Sequence, residues 1–400
     1  MASTAIVTVN AGSSSIKLVV FTMGSNTTEI SRLLDISMSN IGQPVSLLQI
    51  KHVATAMQTE EVRLPNSAAA SDIILQKLTD AVPAETVAAI GHRLVHGGGR
   101  FTEPALLENI TEADWELLSQ LDPHHTPAVR QIVTVFMERY PSTPQIACFD
   151  TAFFNSLPQV AKLVAIPKKY YKMDVRRHGF HGLSYTSLLE TFRKEAGEVA
   201  VNGRVILAHL GSGASIAATQ FGQPLDTTMG FTPVSGIPMS TRSGDLDPST
   251  FGFLHRQSNM TVDEFDHMIN FESGLLGVSG VSGDMQTLLE MEDKNEDVAA
   301  AVTLFVQSVR KSIGALTAVL GGVDSLLFSG GIGERSSVLR ARICQGFEYL
   351  GIEINDMANQ QNSFLISSGN SKVGVHVIPA NEAYTIATQT IKLLHKSRES

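Results

Sequence analysis

Near its start the chain alternates two apolar runs, "AIVTV" and "IKLVVF", around a small polar turn, "NAGSSS", and each run reads as a strand. The same pattern of apolar strand, Gly-Ser turn and apolar strand recurs about 200 residues later in "ILAHLGSGASIAATQ". Two such units, each opening a series of strands and helices, point to a duplicated α/β architecture with ligand between the halves. Two unrelated hairpins are the plainer alternative. "VAAIGHRLVHGG" (87–98) predicts a buried strand running into a glycine turn, and "TPQIACFDTAFF" predicts a strand ending at Asp150. "TEADWELLSQL" sets a threonine cap ahead of helically spaced apolar residues, and "TPAVRQIVTVFMERY" opens with the Thr-Pro that suits a helix N-terminus. Later, "DVAAAVTLFVQSVRKSIGALTAVL" predicts one long helix. "SLLFSGGIGERSSVLRARICQGF" predicts a strand, a glycine turn and a helix.

Composition narrows the class. A chain of 400 residues exceeds what one core serves well, so two domains are expected. Hydrophobic content of 43% with 17% charged residues is globular. The net charge of −9 argues against nucleic-acid and anionic-membrane partners. Two cysteines, Cys148 and Cys344, make no disulfide framework and fit a reducing compartment. No basic, apolar leader opens the chain, and "IGALTAVLGGVDSLLF" is interrupted by glycines and Asp324. A soluble, cytoplasmic protein is expected.

Three Gly/Ser segments, "NAGSSSIK", "HLGSGAS" and "SGGIGERSS", can turn backbone N–H groups together toward an anion, and the third runs into a helix N-terminus. None is a Walker A loop or a dinucleotide fingerprint. Singly each reads as a turn; together they favour a nucleotide. Arg93 stands at a strand end between histidines, and Arg242 stands in a Gly/Pro/Ser loop. Asp150 is carried to the C-terminal end of an apolar strand, where α/β proteins place ligands. Glu382 repeats that placement at the start of the last helix, where an acid favouring the helix dipole is the bland reading. His178 and His181 have H-x-x-H spacing, but no third ligand stands nearby, so donation to a ligand oxygen is favoured over zinc.

In order, "VNAGSSSIK", "GHRLVHGG", "FDTAFF", "RRHGFHG", "HLGSGAS", "DTTMGFTPVSGIPMSTRSGDLDP", "SGLLGVSGVSGDM", "FSGGIGE" and "IPANE" resemble the motifs of the acetate kinases. These belong to the acetate and sugar kinase, Hsp70 and actin superfamily. The resemblance covers nearly the whole chain. It implies two duplicated βββαβαβα-type domains of the actin-like ATPase architecture, with the active site in the interdomain cleft. It also implies reversible, Mg²⁺-dependent transfer of the ATP γ-phosphoryl group to acetate (Mn²⁺ being an alternative metal), giving acetyl phosphate and ADP.

Residue by residue, Asp150 matches the family's catalytic aspartate, and Asn10 and Glu382 match its magnesium site. Arg93 matches the arginine that grips the acyl carboxylate. Arg242 and His181 match the groups on the transferring phosphoryl oxygens, and Lys17 matches a lysine near the ATP phosphates. The nucleotide loops correspond to His209, Leu210, Gly211, Ser212 and Gly213, to Asp284, Met285 and Gln286, and to Gly331, Ile332, Gly333, Glu334 and Arg335. The acyl site corresponds to Val95, His125, Phe180 and Pro233. This chain departs from the family pattern at Ser212, where Asn is usual, at Gln286, where Arg is usual, and at Arg335, where Asn is usual. His124 takes an apolar pocket position, and Tyr185 stands in place of His.

The expected domains are residues 1–150 with 385–400, an N-terminal actin-like unit, and 151–384, a C-terminal nucleotide-binding unit. A homodimer is implied. A propionate or other short-chain acyl kinase is the near alternative, and a nucleotide-switched binding protein of the actin or Hsp70 type is the distant one.

Overall fold

The alternating run at the N-terminus forms a hairpin of β1 (Thr4–Ala11) and β2 (Ile16–Met23), in which Val7, Val9, Leu18 and Val20 enter the core. The chain folds, in a computed structural model that describes residues 4–12, 15–24, 29–53 and 55–399, as two units. The first is Met1–Phe153 with Asn381–Ser400, and the second is Phe154–Ala380. Ser13 and Ser14, in the middle of the "NAGSSSIK" turn, lie outside the described residues. Among the described residues no helix is long and apolar enough to cross a membrane.

In the first unit, β3 (Ile30–Ser39), β4 (Ser46–His52) and β5 (Gln58–Val62) extend the hairpin antiparallel. On the other side of β1, β6 (Val87–Leu94) and β8 (Gln145–Phe149) run parallel to it, and the short β7 (Ala105–Leu106) closes that edge. Helices Ser67–Ala81 and Thr126–Arg139 cover one face through Ile74, Leu78, Ile132 and Phe136. The C-terminal helix Glu382–Glu399 packs against β1, β6 and β8. Its seat depends on Gly91, where a Cβ would stand 2.3 Å from Thr390 Oγ1 and 2.6 Å from an Ile386 methyl. Only glycine lets helix and strand approach that closely. Because this helix begins at Glu382, residues 381–384 group with the first unit.

The second unit repeats the plan. Strands β9 (Arg204–Leu210), β10 (Ala214–Gln220) and β11 (Gln223–Thr227) are antiparallel, and β12 (Ser325–Ser329) and β13 (Gly374–Val377) run parallel to β9. The order β11-β10-β9-β12-β13 matches β3-β2-β1-β6-β8 strand for strand in direction, so the repeated strand–turn–strand motif heads a duplicated five-strand core. The long helix runs from Glu296 to Leu320, capped by the Asn295 side chain and closed by Gly321 at φ +68°. Phe305, Val309 and Ile313 lie on its buried face, and it packs against β9, β10 and β11. One local expectation changes. "SGGIGER" is not a turn before a helix but is itself the helix Gly330–Arg335, starting directly after β12 and followed by Ser337–Cys344.

Candidate active site

In the first unit, the parallel register of β1, β6 and β8 brings three strand ends side by side. Asn10 stands near the end of β1, Arg93 near the end of β6, and Asp150 just past β8. The N-terminus of the last helix adds Glu382. These four side chains form one network. Arg93 Nε and Nη2 both donate to Asp150 Oδ2, at 3.1 and 2.7 Å, and Nη1 donates to Asn10 Oδ1 at 3.0 Å. Asn10 Nδ2 in turn donates to Glu382 Oε2 at 2.7 Å. Asp150 is buried, and the Arg93 side chain keeps 17% of its surface. Burial alone would lower the Arg93 pKa; the Asp150 and Glu382 carboxylates outweigh it and raise the pKa above its ordinary value.

Lys17 pairs with Asn10 across the hairpin, so both side chains lie on one face of the sheet, with Lys17 exposed. Val95 is buried just beyond β6. His125 Nδ1 donates to Asp122 Oδ1, 2.8 Å away, and His124 beside it is half-buried.

The second unit assembles the other candidates. His181 is the N-cap of helix Gly182–Ala196 and holds a left-handed φ of +61°, unusual for a residue with a Cβ. Its ring stacks on His209, with centroids 4.5 Å apart, and its Nδ1 is 2.9 Å from Ser215 Oγ. Its Nε2 lies 3.2 Å from the point where a Cβ on Gly213 would stand, and Arg242 Nη1 lies 3.5 Å from that point. His181 and Arg242 therefore converge beside Gly213. Arg242 Nη1 is steadied by the Pro233 carbonyl at 3.2 Å. Phe180 and Pro233 are buried. His178 goes elsewhere, with Nε2 3.1 Å from the Asp174 carbonyl, so the two histidines of "HGFH" do not act as a pair.

A cavity of about 530 Å³ in the same unit gathers segments far apart in sequence. Gly211, Ser212, Asp284, Met285, Gln286, Gly331, Ile332 and Arg335 line it. Three expected loop residues serve the fold instead. Leu210 is fully buried. The Gly333 carbonyl accepts from Arg340, and Glu334 Oε1 accepts from the Gly330 and Ala380 amides at 3.0 and 3.1 Å. Ser240, Gly283, Leu289 and Ser336 also line the cavity and were not foreseen. Ser336 caps the following helix by accepting from Leu339 N, a signal legible in "ERSSVL". Ser240 arrives with its backbone N–H donating to the Ser212 carbonyl at 3.1 Å, which no local pattern records.

The donors around Asn10 suit a hard cation. They are oxygens, and two carboxylates face one guanidinium, leaving net negative charge. A phosphate-bound Mg²⁺ takes one or two protein carboxylates and keeps waters.

Comparison with known proteins agrees with the strand order and the motifs. The Acetokinase family model matches residues 5–388. An acetate kinase of Bacillus cereus is 37% identical over 397 residues, covering 97% of this chain and 98% of the relative. The crystal structure of Porphyromonas gingivalis acetate kinase superposes with a TM-score of 0.86 at 34% identity, covering 98% of this chain and 100% of that one. A propionate kinase from Francisella tularensis gives 0.89 at 31% identity, covering 97% and 99%. Two duplicated α/β units of the actin-like ATPase fold, matched over nearly their full length by one family, make this chain a member of the acetokinase family, a kinase that transfers a phosphoryl group to a carboxyl acceptor.

Proposed function

We propose that the chain phosphorylates acetate with ATP, reversibly and with Mg²⁺, giving acetyl phosphate and ADP. The observation that carries this reading is the Arg93–Asp150–Asn10–Glu382 network at the ends of three parallel strands. Three of the five Arg93 N–H donors are engaged there, which leaves one on each terminal nitrogen for a bidentate grip on a carboxylate. The acceptor is already a nucleophile at neutral pH, so no general base is needed. Its oxygen bonds to the γ-phosphorus as the bond from phosphorus to the β,γ-bridging oxygen breaks, and ADP leaves. Asp150 orients Arg93 rather than taking a proton. His181 and Arg242 are the donors for the three equatorial oxygens, whose charge a loose transition state spreads. Asn10, Glu382 and Asp150 would hold Mg²⁺, which neutralises phosphate charge when bound. Lys17 supplies a further positive charge near the phosphates.

The second unit is read as the nucleotide-binding domain, with its 530 Å³ cavity as the nucleotide site, and the first as the N-terminal actin-like domain that carries Arg93 and the metal residues. The resemblance assigns acyl binding to Val95 and His125 of the first unit and to Phe180 and Pro233 of the second. A reducing, cytoplasmic setting fits two buried cysteines outside any disulfide, Cys148 and Cys344, and the homodimer is carried over from the family resemblance alone. Propionate is the second reading, favoured by the likeness to a propionate kinase structure. Trapping the product as a hydroxamate, across acetate, propionate and butyrate with ATP, tests both. Absence of acyl phosphate with every carboxylate would overturn the proposal.

A further inference from the structure

Behind His181 a chain of hydrogen bonds runs through Ser215 to Tyr185. Ser215 Oγ is 2.9 Å from His181 Nδ1 and 2.5 Å from the Tyr185 hydroxyl. Ser215, in β10, and Tyr185, in the helix that His181 caps, are both fully buried. Burial pushes the Tyr185 phenol well above its usual pKa, against smaller downward pulls from Ser215 and the His209 backbone. The phenol therefore keeps its proton. A protonated Tyr185 can donate to Ser215 Oγ, 2.5 Å away, which leaves the Ser215 proton for His181 Nδ1. With Nδ1 occupied as an acceptor, the neutral ring must carry its hydrogen on Nε2. Nε2 is the atom that shares the space beside Gly213 with Arg242 Nη1.

We propose that Ser215 and Tyr185 are positioning residues that lock His181 as the Nε2–H tautomer, so that it presents a fixed N–H donor beside Arg242. This rests on the reading above that His181 faces the transferring phosphoryl group. An unlocked imidazole would spend part of its time with a lone pair turned toward phosphoryl oxygens, where it repels. A locked one meets the developing charge without reorganising. No proton moves in the reaction; the relay sets direction only.

The test uses the full-length enzyme, histidine-labelled with ¹⁵N, and reads the His181 tautomer from two-bond ¹H–¹⁵N spectra. Nε2 protonated and Nδ1 bare is the expected result. Ser215→Ala should release the preference and lower kcat by about tenfold or more, with both KM values changing less than about threefold. Ser215→Thr, which keeps the hydroxyl, should restore both tautomer and kcat, and Tyr185→Phe should fall between. Nδ1 protonated in the wild type, or an unchanged tautomer in Ser215→Ala, overturns the lock. A different outcome separates the underlying reading: if Ser215→Ala changes the tautomer and leaves kcat untouched, His181 does not serve the phosphoryl group and the relay has no catalytic use.

Discussion

Arg93 lies edge-on to Asp150, with Nε and Nη2 both on the single oxygen Oδ2, at 3.1 and 2.7 Å. The carboxylate thereby fixes the plane of the guanidinium and leaves its far end for other partners. Asp150→Asn keeps the size and removes the charge. We expect kcat to fall by about a thousandfold, with the KM for ATP nearly unchanged. Near-normal turnover in steady-state assays would remove Asp150 from the catalytic machinery.

Lysine at position 93 carries the charge but not the fork. It cannot hold Asp150 and Asn10 while gripping a planar carboxylate. Arg93→Lys should therefore raise the acyl KM without rescue, whereas Arg242→Lys should act mainly on kcat. Equal effects on both constants in both variants would count against separate roles.

His124 is half-buried, and the resemblance to the family implies an acyl-pocket position for it. Each buried CH₂ is worth about 0.8 kcal/mol, roughly fourfold in affinity, and an imidazole wall forfeits part of that. We expect acetate to be preferred over propionate, and His124→Ala to raise the propionate-to-acetate ratio of kcat/KM. An unchanged ratio would take His124 out of the pocket.

Arg340 is fully buried, and all five of its N–H groups go to neutral oxygens: Asn359 Oδ1 and carbonyl, Asn362 Oδ1, and the Gly333 and Glu334 carbonyls. Burial brings its pKa down to about 10. It ties the end of the helix Gly330–Arg335, which lines the cavity, to the segment Asp356–Gln360. Arg340→Met leaves those acceptors unpaired. A loss of about 3 kcal/mol in unfolding free energy is expected, with a raised KM for ATP and an unaltered acyl KM. Equal changes in both KM values would argue for a general loss of structure.

Acid should destabilise the fold through two histidines. Burial brings the pKa of His92 down to about 4, against the hydrogen bond it donates to Gln145 Oε1, and brings that of His376 to about 4 as well. Unfolded, both titrate near 6.5. Between these values the unfolded chain binds more protons, so the stability present above about pH 6.5 is lost as pH falls through 4. Each contributes roughly 3 kcal/mol. Thermal melts from pH 7 to 4 should show a shallower fall for His376→Leu than for the wild type. Parallel curves would refute the assignment.

Local pattern carried much of the fold. The period-two runs predicted the β1–β2 and β9–β10 hairpins, and helical spacing predicted the long helix to within a residue of its observed start at Glu296. These features depend on residues a few positions apart, where burial on one face leaves a direct mark on the sequence. Arg93 and Asp150 were legible as candidates for the same reason: each ends an apolar strand. The bond from Asn10 to Glu382 leaves no mark in local pattern, because 372 residues separate them, and only the family resemblance put both in one site. It exists because β1, β6 and β8 share a parallel register and Gly91 admits the last helix. Ser215 and Tyr185 look like ordinary interior residues until β10 and the Gly182–Ala196 helix bring them to His181. Ser240 is held beside the cavity by backbone hydrogen bonds to Ser212 and from Leu276, both distant in sequence. Side-chain period reports which face of an element is buried, but not what lies opposite. Strand order, register and close backbone approach decide that, and they are set only when the whole chain packs.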